Sequence, residues 1–228
     1  MWRNRISKLM DLIQENELSA ILIHSEANIF YFTGYRGPGY LLIPLNGSPK
    51  LYVYPLDFEL ARMCVRGGVE VEELGMTAKV ENVVEGLPDE VKSRLGFDSL
   101  SAEDYLRLSA LLGHESLKPA SEIVWKLRMI KDRSEIGNIE KACDIASKVM
   151  DLASEMLEDG VMESEVKAEV LEEMLKLGAD GASFDIIVAS GSRSSMPHGA
   201  PGNRVMRDGD VVVVDLGAVF EGYCSDMT

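Results

Sequence analysis

Val211-Val212-Val213-Val214-Asp215-Leu216-Gly217-Ala218-Val219-Phe220-Glu221-Gly222-Tyr223-Cys224-Ser225-Asp226 decides how the second half of this chain folds. Four consecutive β-branched residues are stiff at χ1 and predict a buried strand. Asp215 closes that run, where a carboxylate is disfavoured. A local rule broken inside otherwise consistent sequence marks a place to look for function. Folded as a hairpin of 211–217 against 222–228, the segment has its turn at Phe220-Glu221. Asp215 and Asp226 then stand directly opposite each other on one face. Two opposed carboxylates repel, and either a proton or a cation between them relieves the repulsion. A hard divalent ion suits carboxylate oxygens. A slipped register, or an Asp226 that only caps a turn, is the alternative.

Upstream, 183–189 is expected to be a strand. It runs through Gly191 into Ser194-Ser195-Met196-Pro197-His198-Gly199-Ala200-Pro201-Gly202-Asn203-Arg204. Small residues and prolines make that segment a loop, and loops at strand ends commonly carry binding groups. A neutral His198 imidazole beside a carboxylate pair could donate to a polarised substrate oxygen; a solvent-exposed histidine is the plainer alternative. His24 and His114 have no evident partners. Gly34-Tyr35-Arg36-Gly37-Pro38-Gly39 has the composition of a phosphate loop but precedes a strand, so turn chemistry explains it.

Two helices are expected before these strands. Ile136, Ile139, Cys143, Ala146, Met150, Ala153 and Leu157 form an apolar stripe that Gly160 stops. Val166, Val170, Leu171, Met174 and Leu175 form a second, ending near Gly178. Before Pro119 the chain alternates: a helix over the first 14 residues, then strands at 20–23, 40–43, 51–54, 69–73 and 95–98. Between these, helices are expected at 56–65, 77–85 and 102–112. That alternation predicts an α/β domain over residues 1–120, followed by a second domain over 121–228.

The formal charge is −15 and the pI about 4.6. Such a surface repels nucleic-acid phosphates and anionic lipid, so neither partner is expected. Three widely spaced cysteines form no Cys-x-x-Cys pair and argue against both a disulfide framework and a zinc–thiolate site. The amino terminus lacks the apolar run of a signal peptide, and a cytoplasmic location is expected. The unpaired edge of the valine strand predicts association of copies, with a homodimer expected.

The segments 187–191, Pro197-His198-Gly199, 209–218 and 222–228 together resemble the core of the prolidase, aminopeptidase P and methionine aminopeptidase family. The separation of Asp215 and Asp226 matches that family's first two metal ligands. Residues 126–136 resemble the opening of its catalytic domain. The front half, with Tyr31-Phe32-Thr33-Gly34-Tyr35, more weakly resembles its creatinase-type amino-terminal domain. The resemblance implies an α/β amino-terminal domain plus an α+β pita-bread catalytic domain, the latter partly present. It also implies an Xaa-Pro peptidase acting on short proline-containing peptides, with two divalent ions (manganese, cobalt or zinc). Asp215 and Asp226 map onto metal ligands, and His198 maps onto a catalytic, substrate-contacting histidine. No residue here matches the family's remaining His and two Glu ligands, so the chain is expected to be an inactive fragment. A creatinase-like hydrolase without the metal pair, and a non-catalytic binding module on the same fold, are the rivals.

Overall fold

Ile6, Leu9 and Ile13 recur at helical spacing and bury one side of α1 (Trp2–Glu15). The chain then runs through β1 (Ala20–Ile23), α2 (Glu26–Thr33), β2 (Tyr40–Pro44), β3 (Lys50–Val53), α3 (Pro55–Cys64) and β4 (Glu70–Glu73). It continues through α4 (Val80–Val84), α5 (Asp89–Lys92), β5 (Leu95–Phe97), α6 (Ala102–Leu112), β6 (Leu117–Pro119) and α7 (Ser121–Met129). These elements make the first of two compact units, Met1–Ile130 and Lys131–Thr228, in a computed structural model that describes all residues from 1 to 228.

In the first unit six strands form one mixed sheet in the order β4-β3-β2-β1-β5-β6. The strand β1 is buried along its whole length, and successive residues serve opposite faces. Ile21 and Ile23 pack with Ile13, Phe32 and Val124 on one side. Ala20 and Leu22 pack with Val80, Val84 and Leu108 on the other. Helices therefore cover both faces. The Asp98 carboxylate closes the entry to α2, accepting the His24 and Ser25 N–H groups and the Asn28 amide. The His24 ring stacks on Tyr40 with its Nδ1 3.0 Å from the Gly39 carbonyl oxygen. His114 is exposed beside Glu115. Both histidines belong to this unit.

The second unit contains α8 (Arg133–Glu155), α9 (Glu163–Lys176), β7 (Gly181–Ala182), β8 (Ile187–Ser190), β9 (Val212–Asp215), β10 (Ala218–Phe220) and β11 (Tyr223–Cys224). Asp132 and Glu135 start α8 with a reciprocal capping box: the Asp132 carboxylate accepts two helix N–H groups, and the Glu135 carboxylate accepts the Asp132 N–H. One sheet has the order β11-β10-β7, and β8 pairs with β9 in another. Both helices cover them, and Val149, Val166, Val170, Met174, Val188 and Leu216 share the core.

Three expectations need correction. The inward face of α8 is Ala142, Ile145, Ala146, Val149 and Ala153; Ile136 and Cys143 face solvent, because the stripe was phased one position away from the true burial arc. Leu175 on α9 is exposed as well. The valine run is only half-buried, with Val211 69% exposed. The two compact units divide between Ile130 and Lys131, after α7. Through Ile123 and Val124, α7 is buried in the core of the first unit.

This placement of α7 sets a measurable outcome. A fragment of residues 1–130 should unfold cooperatively in urea. A fragment of 1–120 lacks Ile123 and Val124 and should be about 3–6 kcal/mol less stable, at roughly 1.5–3 kcal/mol for each buried aliphatic side chain. Equal midpoints for the two fragments would show that α7 is dispensable.

Candidate active site

The site is built on the antiparallel pairing of β8 with β9, which sets Ile187 opposite Asp215 and Ser190 opposite Val212. Asp215 is thereby fixed at the end of β9, beside the start of β8. The loop that follows β8 opens with a 3-10 turn at 191–195 and carries His198 near its tip. Gly199 N–H donates to the Met196 carbonyl, and a side chain at 199 would press on Ala189 of β8, so the tip lies close against that strand.

The hairpin after β9 turns one residue later than expected. Phe220 pairs with Tyr223 and Val219 with Cys224, so the two-residue turn is Glu221-Gly222. Both turn residues have positive φ, 49° and 77°, the left-handed pair of a tight turn that matches strand twist. The bridge between Leu216 and Met227 keeps this register. Asp215 therefore faces Thr228, whose hydroxyl donates to Asp215 Oδ1 at 2.9 Å. Asp226 stands two pairs further along, opposite Gly217. The residue facing Asp215 thus lies two positions beyond Asp226, so both aspartates keep one face but become diagonal neighbours. Diagonal pairs lie roughly 7–8 Å apart rather than about 5 Å, which weakens their repulsion. Gly217 cannot carry a side chain, because its Cβ would collide with the Ser225 carbonyl oxygen and the Ser183 hydroxyl.

His198 and Asp215 line one cavity of about 440 Å³, together with Lys167, Phe184, Asp185, Ile187, Pro197 and Pro201 among others. Asp226 is exposed and does not line it. The cavity mixes two carboxylates, an ammonium and an imidazole with proline, isoleucine and phenylalanine surface. It could take a short polar ligand with an apolar ring or side chain. The aspartate pair offers hard oxygen donors suited to a divalent ion by type. No group of three or more His, Cys, Asp or Glu side chains is close enough to hold one, so the pair alone is not a complete metal centre.

Beneath the loop lies a carboxylate that reading the sequence missed. Glu163, at the start of α9, is fully buried. One of its oxygens accepts both the Ser190 N–H and the Ser190 hydroxyl at 2.8 Å. The other accepts the Gly202 N–H at 3.2 Å and lies 3.4 Å from Arg193 Nε. Burial pushes the carboxyl upward; the Ser190 and Gly202 hydrogen bonds and the Arg193 charge outweigh it and hold the group below its ordinary value. Arg204 grips Asp210 with two hydrogen bonds, at 2.7 and 3.1 Å, and also donates to the Ser190 hydroxyl. In the sequence, Glu163 looks like an ordinary acidic residue in the first turn of a helix. Asp185 and Lys167 gave no signal either, since they reach the cavity only through the pairing of distant elements.

Residues 5–130 match the model of the creatinase/prolidase N-terminal domain, and residues 137–228 match metallopeptidase family M24. The chain belongs to the creatinase/prolidase family. It is 34% identical to an uncharacterized peptidase of Bacillus subtilis over 98% of this chain and 64% of that one. It is also 34% identical to an Xaa-Pro dipeptidase of Pyrococcus horikoshii, over 98% of this chain and 62% of that one. The solved prolidase of Pyrococcus furiosus superposes with a TM-score of 0.87 at 33% identity, over 96% of this chain and 68% of that one. The chain spans less than two thirds of the length of the B. subtilis and P. horikoshii relatives. Its first unit is the creatinase-type α/β domain, and its second carries part of the α+β pita-bread fold of M24 proteins.

Glu163 gives this chain a defined acid response. Its folded carboxyl ionises below the ordinary value of 4.5. Its contribution is therefore complete above about pH 4.5 and is lost as pH falls through the folded value. Glu163→Gln should lower stability at neutral pH and flatten the loss below about pH 4.5, as urea midpoints over that range would show. Parallel pH profiles for the two proteins would contradict the assignment.

Proposed function

We propose that the complete protein is an Xaa-Pro peptidase, cleaving short peptides or dipeptides before proline. Asp215 and Asp226 would serve as two of its metal ligands and His198 as its substrate-contacting catalytic residue. The supporting observation is the cavity shared by His198 and Asp215 in an M24 chain, with Asp226 on the same face of the adjoining ladder. Its apolar walls at Pro197, Pro201 and Phe184 suit a proline ring, and its charged groups suit the termini of a small peptide. The relative from P. horikoshii bears the name Xaa-Pro dipeptidase.

Two divalent ions, manganese, cobalt or zinc, would supply Lewis-acid activation and a strong nucleophile at neutral pH. The protein's own part is positional. The pairing of β8 with β9 holds Asp215, and the loop brings His198 to the same space. There His198 would donate to the carbonyl oxygen as negative charge builds on it. Retention of both aspartates supports a metal-dependent peptidase over a creatinase-like hydrolase. A cytoplasmic homodimer fits three free cysteines and the exposed Val211 edge. No helix is long and apolar enough to cross a membrane.

The decisive assay follows hydrolysis of an Xaa-Pro dipeptide with Mn²⁺, in a chain of the relatives' full length and in the 228-residue chain. The longer protein should turn over. The shorter one should stay at background, because two carboxylates are too few to fix two ions. In the longer protein Asp215→Asn should cut kcat/KM by roughly 100-fold or more, exceeding typical outer-shell losses. His198→Ala should lower kcat by about 10²–10³, the size of one lost oxyanion donor. Turnover that survives Asp215→Asn would sink the metal assignment.

A further inference from the structure

Glu163 is a fully buried carboxylate in a second unit whose proposed reaction makes no use of it. Its partners are not scattered. Ser190 is the last residue of β8, where the loop begins; Arg193 lies in the loop's first turn, and Gly202 lies four residues beyond His198. One carboxylate therefore clamps both ends of the His198 loop to the start of α9. Arg193 adds a second tie: its guanidinium sits beside Glu163 and also donates to the Ala200 carbonyl, two residues from His198. Arg204 and Asp210 close the network from outside through the Ser190 hydroxyl.

We infer that Glu163, acting through Gly202 and Arg193, is a positioning residue that holds the His198 loop in its substrate-facing conformation. Its catalytic meaning rests on the proposed role of His198; the positioning itself does not. Charge matters here, because the carboxylate accepts three hydrogen bonds, faces the Arg193 charge and needs no proton of its own. A glutamine would present an NH₂ where Gly202 N–H or Arg193 must find an acceptor.

The chain has three histidines, and His24 and His114 lie in the first unit, so three ring signals give a probe and two internal controls. The experiment compares the 228-residue chain with its Glu163→Gln and Arg193→Met variants by NMR, with no peptide and no metal. In both variants the His198 ring line and the backbone amides of 196–202 should broaden or shift. Exchange of the Gly199 N–H should rise roughly tenfold or more, as expected for one lost charged hydrogen bond. The His24 and His114 lines should stay in place. If Glu163→Gln unfolds the second unit, Arg193→Met decides, because Arg193 is partly exposed and its loss leaves the buried carboxylate with its other donors. Unmoved loop signals in a folded variant would overturn the inference. That failure would leave the peptidase proposal standing, since the measurement contains no substrate; an inactive full-length protein would equally leave the positioning role standing.

Discussion

The pairing of β8 with β9 is the constraint on which the second unit depends. At one end it sets Ile187 against Asp215, and so brings a carboxylate to the cavity. At the other it places Ser190 over Glu163, and so starts the loop that brings His198 to the same cavity. A one-residue slip of β9 in this ladder would turn Asp215 to the opposite face, away from the cavity. Core packing defends the register: Val188 and Val214 are paired and both lie in the shared hydrophobic core, where a slip of β9 toward its start would bring Asp215 into the place of Val214.

Electrostatics explains why such a site needs a well-held frame. The chain carries a net charge of −15, and Asp185 and Asp215 line the same cavity. Like charges oppose folding around such a space unless cations or hydrogen bonds offset them. Lys167 and the Thr228 hydroxyl supply part of that offset here. The diagonal placement of Asp226 supplies more, because charges further apart repel less. This spacing keeps the apo ladder tolerable while leaving both carboxylates on one face for a shared ligand.

Much of the fold was legible because its signals are local. The run Ala20-Ile21-Leu22-Ile23 and the helix 102–112 have the bounds expected of them, since a short apolar run and a capped amphipathic segment each carry their own punctuation. The hairpin register was also legible in principle: Gly222 is the residue a left-handed second turn position favours, and it outweighs the symmetry that first suggested Phe220-Glu221. Phase was harder in α8, where Ile136 and Cys143 are apolar yet face solvent. Hydrophobic identity alone does not say which arc of a helix meets a neighbour. The Asp215 and His198 segments stood out because each breaks a local pattern. Glu163, Lys167 and Asp185 break none, and only the pairing of elements far apart in sequence gives them a role.

Glu163 also bears on how the fold balances stability against shape. A buried ion pair is a poor source of net stability, because removing charge from water costs about as much as the pairing returns. Apolar residues at 163 and 193 could pack at similar or lower free energy. They could not hold a loop rich in glycine and proline, which has no apolar side chain to pin its ends. Loop 191–204 has backbone N–H groups and a few polar side chains to offer, and a carboxylate that accepts from Ser190 and Gly202 while lying 3.4 Å from the Arg193 charge is the complement to that inventory. The buried charge is best understood as the means by which a loop of weak intrinsic structure acquires a single conformation. The cost of desolvating Glu163 is offset by ordering the one segment that brings an imidazole to the cavity.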